Sequence, residues 1–161
     1  CCMESVFKFA NYIVSRYINN YGVSIDEMKL HKLLYFAQRE ALIQLGKPLF
    51  GESFYAWKYG PVLVAVRDHI KFFGPILPQV GYCINNEYVP VFDKVFSQYA
   101  GKDSWSLSRL SHGEFSWQNA RKGLGPIDSC DKAMSIDDIK IDANRIKLRR
   151  YFLSQIRNQS K

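Results

Sequence analysis

The run from Leu30 to Leu45, LHKLLYFAQREALIQL, constrains the fold more than any other part of this chain. With Leu30 at zero on a helical wheel, Leu33, Leu34, Ala37, Ala41 and Leu45 fall on one face, while Tyr35, Phe36, Leu42 and Ile43 occupy the others. A helix apolar on most sides must be central to its fold or covered by a partner. Leu30, Leu33, Leu34 and Ala37 are therefore expected in the core.

The remaining punctuation predicts a mainly α, compact single-domain bundle of about six to seven helices around that central helix, with a short β-strand or hairpin element. Residues 4–19 carry Val6, Phe9, Ala10, Ile13 and Tyr17 on one stripe, closed by Asn20 and Gly22. Ser24 with Glu27 reads as a capping box for the central helix, which stops near Gly46 and Pro48. Phe54, Tyr55 and Trp57 suit an extended segment, and Gly60 with Pro61 forces a turn. Pro61 then opens a helix over 61–73 that buries Val62, Ala65, Val66, His69 and Phe73. Residues 76–90 permit a hairpin limited by Pro78 and Pro90. Further helices follow at Val91–Tyr99, from Ser104 through Leu107 and Leu110, and through Trp117 and Ala120. Ser135 with Asp138 caps a last helix whose stripe is Ile139, Ile146, Leu153 and Ile156.

At 161 residues, 47% hydrophobic and 15% aromatic, the chain fits one domain with a substantial core and lies outside the disordered class. No apolar run approaches the roughly 18 residues that span a bilayer. The start also lacks the order of a signal peptide, so a cytoplasmic protein with no membrane partner is expected. Cys1, Cys2, Cys83 and Cys130 form no CxxC pair, which argues against a disulfide framework or a zinc site. Because Met3 follows Cys1 and Cys2, residues 1–3 are expected to be disordered or foreign to the natural chain.

Catalytic residue types lack the spacing that chemistry needs. His31, His69 and His112 have no partner at ligand spacing, no GxSxG motif accompanies Ser111, and Asp137 with Asp138 are explained by a helix start. GLGP at 123–126 lacks the lysine of a phosphate loop. The expectation is a protein that is not an enzyme and has no cofactor, metal or catalytic residues. Recognition is better served. The segment Trp57, Lys58, Tyr59, Gly60, Pro61 joins large amphipathic rings to a tight turn, the profile of a binding hot spot. His31, Lys58, Tyr59, Gly60, Pro61 and His112 are the candidate partner-binding residues, and Trp57 and Trp117 are assigned to core packing.

Three ordered blocks, KLHKLLYFAQ, FYAWKYGPV and LSRLSHGEFSWQNA, resemble those of the Panacea domain family, the SocA-like and GepA-like antitoxins of bacteria and phages. The resemblance covers roughly residues 5–122, and the whole chain, 1–161, is expected to form one such domain. It implies a helical, non-enzymatic antitoxin that neutralises a toxin encoded beside it by direct binding. In some members it implies an adaptor that delivers the toxin to a protease.

The net charge of +7, concentrated in Lys140, Arg145, Lys147, Arg149, Arg150, Arg157 and Lys161, suits an acidic protein or nucleic acid. A basic nucleic-acid-binding autoregulator is therefore the alternative function. A helix-turn-helix is not evident, so only weak, non-specific nucleic-acid binding is expected. A homodimer stays open.

Overall fold

The structure is a computed structural model that describes residues 4–161, and the expectation for residues 1–3 lies outside the described residues. Helix α1, Val6–Tyr21, is capped by Ser5, whose hydroxyl accepts from Phe7 N–H, and ends where Gly22 takes a φ of 71°. Its stripe of Val6, Phe9, Ala10, Ile13 and Tyr17 is buried. Helix α2, Glu27–Gln44, is buried continuously from Lys29 to Leu42 and packs against α1 and most of the helices that follow it. The expected Ser24 capping box is not formed. Asp26 caps instead, accepting from Lys29 N–H at 2.8 Å, because a carboxylate is favoured at the positive end of the helix dipole. Asp26 also accepts from Ser104 Oγ, which leaves Glu27 free for other partners.

Strands β1, Phe54–Trp57, and β2, Gly60–Leu63, form an antiparallel hairpin with Phe54 opposite Leu63 and Trp57 opposite Gly60. Pro61 thus lies in a strand and does not open a helix. The sheet tolerates it because β1 receives its other hydrogen bonds from residues 132–134: Ala56 N–H donates to Lys132 O and Met134 N–H to Phe54 O. Helix α3, Val64–Phe73, follows directly and buries less than expected. Val66 is buried, but Ala65 is exposed, His69 is half-buried between the Phe7 and Phe73 rings, and Phe73 is 80% exposed. The helix rests on β2 at one edge of the molecule, so only its inner line finds cover.

The expected hairpin over 76–90 is absent. Side chains of α1 satisfy this backbone in place of a ladder: Asn11 Nδ2 donates to Leu77 O and Gln79 N–H donates to Ser15 Oγ. Only a 3₁₀ turn, Asn86–Tyr88, precedes helix α4, Val89–Val95, which runs into a π-turn over Phe96–Ala100. Helix α5, Ser104–His112, is capped by Asp103, and helix α6, Phe115–Ala120, follows. Helix α7, Ile136–Gln159, starts at Ser135 as the sequence suggests.

Helices make up 62% of the described residues, around one core. Buried polar groups lock the last helices to it. From α7, Asp142 accepts from Phe115 N–H and Ser116 N–H, and Arg150 grips Glu40 through two bonds of 2.8 and 2.9 Å, while Arg39 of α2 pairs with Glu114 at the start of α6. Beyond Arg150 the helix leaves the body. Ile139 is buried, but Leu153 and Ile156 are exposed, so the predicted stripe is covered only at its start. No helix among the described residues is long and apolar enough to cross a membrane.

Candidate functional site

The hairpin turn is held from behind through its carbonyls. Arg121 Nη1 donates to Ala56 O, Trp117 Nε1 to Trp57 O, Ser108 Oγ to Tyr59 O and Lys32 Nζ to Pro61 O. Helices α2, α5 and α6 therefore each fix part of one short loop. Neither Lys58 nor Tyr59 has a positive φ, and the reversal falls on Gly60 at φ 110°, a region that favours glycine. Gly60 and Pro61 are buried, while Lys58 is exposed and Tyr59 is 46% exposed. The Lys58 ammonium sits 4.9 Å from the Tyr59 ring centroid, and Tyr59 meets the exposed Trp105 edge-on at 5.4 Å. A rigid loop thus displays a cation and two aromatic rings.

A recess of about 340 Å³ lies beside this tip, lined by Glu27, Met28, His31, Lys32, Trp57, Val62 and Arg67 together with the turn. His31 is only 3% exposed. It accepts from Leu63 N–H at Nδ1, so the neutral ring carries its proton on Nε2, 3.3 Å from Glu27 Oε1. Burial pushes the imidazole pKa down, against the pull of Glu27, and keeps it neutral. Glu27 is itself held below the usual carboxylate range, first by His31 and then by Arg67, whose guanidinium also covers the Trp57 ring at 5.1 Å. His31 consequently ties α2 to β2 and offers no free surface.

The structure divides the six candidate contact residues. Lys58 and Tyr59 stand at the surface, Gly60 and Pro61 form the buried base beneath them, and His31 is internal. His112 is half-buried and stacks on Trp117 at 4.2 Å, with Nε2 buried and unpartnered and its pKa lowered chiefly by burial. Leu30, Leu33, Leu34 and Ala37 are buried, as is Trp117, and Trp57 is partly buried against the recess. Sequence reasoning missed Lys32, Arg67 and Ser108. The available signal was Lys32 itself, a charge inside a helix that is apolar nearly all round. Among the described residues no group of His, Cys, Asp and Glu is placed to hold a metal ion.

The family model for antitoxin SocA-like proteins, Panacea domain, matches residues 30–118, more than half of the chain. Antitoxin SocA of Caulobacter vibrioides (strain NA1000 / CB15N) is 48% identical over 53 residues, a stretch that covers 33% of this chain and 28% of that protein. No solved structure matches. The matched region contains α2 from Leu30 onward, the hairpin, α5 and part of α6, so it includes most of what builds the turn and its recess.

Proposed function

The chain belongs to the SocA-like Panacea antitoxin family, and on that premise we propose that it neutralises a cognate toxin, encoded beside it, by direct protein contact at the hairpin turn. The observation that carries this reading is the contrast within WKYGP: Lys58 and Tyr59 are exposed, yet their backbone is fixed by donors from three helices. A tip ordered before binding loses little conformational freedom when a partner arrives. Tyr59 and Trp105 provide apolar contact area, and Lys58 with the overall charge of +7 favours encounter with an acidic surface.

Coexpression tests the proposal. The wild-type chain should restore growth to cells producing the neighbouring small gene product, and the Lys58→Ala, Tyr59→Ala double variant should fail to do so while remaining folded. Rescue by that variant at wild-type level would remove the turn from the interface.

A further inference from the structure

Lys32 differs from the other buried charges of α2. Arg39 pairs with Glu114, Glu40 is gripped by Arg150, and Lys29 Nζ donates to Tyr17 OH and Ala100 O at 3.1 Å each. Lys32, only 1% exposed, has the Pro61 carbonyl at 3.3 Å as its one hydrogen-bond acceptor, and it enters no ion pair among the described residues. An ammonium so placed is costly, and a methionine would fill the same space without that cost. The charge faces a recess whose other cations, Lys58 and Arg67, outnumber its single carboxylate, Glu27, which is already engaged by His31 and Arg67. Trp57 lines the same recess, and its indole N–H is buried with no acceptor. Unmet donors, surplus positive charge and apolar walls from Met28 and Val62 call for one kind of guest.

We propose that this recess is a carboxylate-binding site that seats an acidic group of the toxin, with Lys32 as the charge at its floor. The proposal rests on the neutralisation reading above and adds the chemistry of the contact. Burial holds the Lys32 ammonium down to about 8, with Asp26 pulling the other way. His31 stays neutral, Glu27 stays ionised, and Lys58 and His112 add no negative charge nearby. A carboxylate arriving beside Lys32 therefore raises its pKa, and complex formation above pH 8 takes up a proton.

The test is the affinity of the purified chain for the neighbouring gene product, measured from pH 7 to 9.5 for wild type and Lys32→Met. Wild-type affinity should fall as pH rises past about 8, whereas Lys32→Met should bind at least tenfold more weakly at pH 7, with a flat profile and an equal or higher melting temperature. In the toxin, either one Asp or Glu changed to its amide or a C-terminal extension should reproduce the loss, which distinguishes a side-chain carboxylate from the terminal one. Wild-type-like binding by Lys32→Met, a less stable or unfolded Lys32→Met, or a toxin in which no single carboxylate matters would each overturn the site. If wild type itself does not bind, the neutralisation reading fails, and the site falls with it.

Discussion

Lys32 and Gly60 fit together only because residue 60 has no side chain. A β-carbon there would stand 2.6 Å from Lys32 Cε and would also meet Ser111 Oγ, at a φ of 110° that side chains rarely adopt. Gly60→Ala should therefore cost about 2–5 kcal/mol from combined backbone strain and overpacking. Denaturant unfolding measures this, and a loss below about 1 kcal/mol would show that Lys32 and the turn yield easily.

Scaffold and surface should separate on substitution. Leu34 is fully buried in α2, so Leu34→Ala should cost roughly 2–5 kcal/mol. Lys58→Ala and Tyr59→Ala remove exposed side chains and keep the carbonyl that Ser108 holds, so melting curves should change little while partner binding weakens. Similar thermal losses at all three positions would make the turn a structural clamp only.

Helix α1 is legible because its burial follows the periodicity of one apolar face, and α2 because apolar residues on most of its sides mark a helix that is covered all round. Local cap rules alone place the start of α2 too early because Ser24 and Asp26 both satisfy them, and the bond from Ser104, far away in sequence, adds to the dipole's preference for Asp26. Pro61 misleads for a similar reason. A strand with a missing N–H is stable here because residues 132–134, far away in sequence, pair with the other strand. Within the site, Lys58 and Tyr59 could be read from composition and turn chemistry. The recess could not, since it arises where α2, the hairpin and α3 meet.

Glu114 offers a pH test. Burial pushes its carboxyl up to about 7 from 4.5, overriding the Arg39 guanidinium, which pulls it down. Between those values the native state keeps a proton that the unfolded chain has lost, so this group's contribution to stability is complete below pH 4.5 and declines as pH rises towards 7. Relative to Glu114→Gln, the wild type should lose stability over that window. Parallel pH profiles for the two proteins would show that Glu114 ionises normally.

Two neighbouring arginines of α7 should behave differently. Arg150 pairs with the buried Glu40, so Arg150→Glu should destabilise by roughly 3 kcal/mol, whereas exposed Arg149→Glu should be nearly neutral. Duplex DNA binding through Arg145, Lys147 and Arg149 should be weak and lost near physiological salt, with a log–log slope of about −0.9 per phosphate contacted. Tight, sequence-selective binding at that salt, abolished by Arg149→Glu, would favour the autoregulator function.

The most direct measurement is a titration of the purified chain with the purified product of the adjacent small gene, with the growth assay run in parallel. A saturable complex with fixed stoichiometry is expected, weakened in the Lys58→Ala, Tyr59→Ala variant together with its loss of rescue. Absence of a complex between folded wild-type protein and folded neighbour, or rescue that persists when the complex is lost, would contradict neutralisation by direct binding.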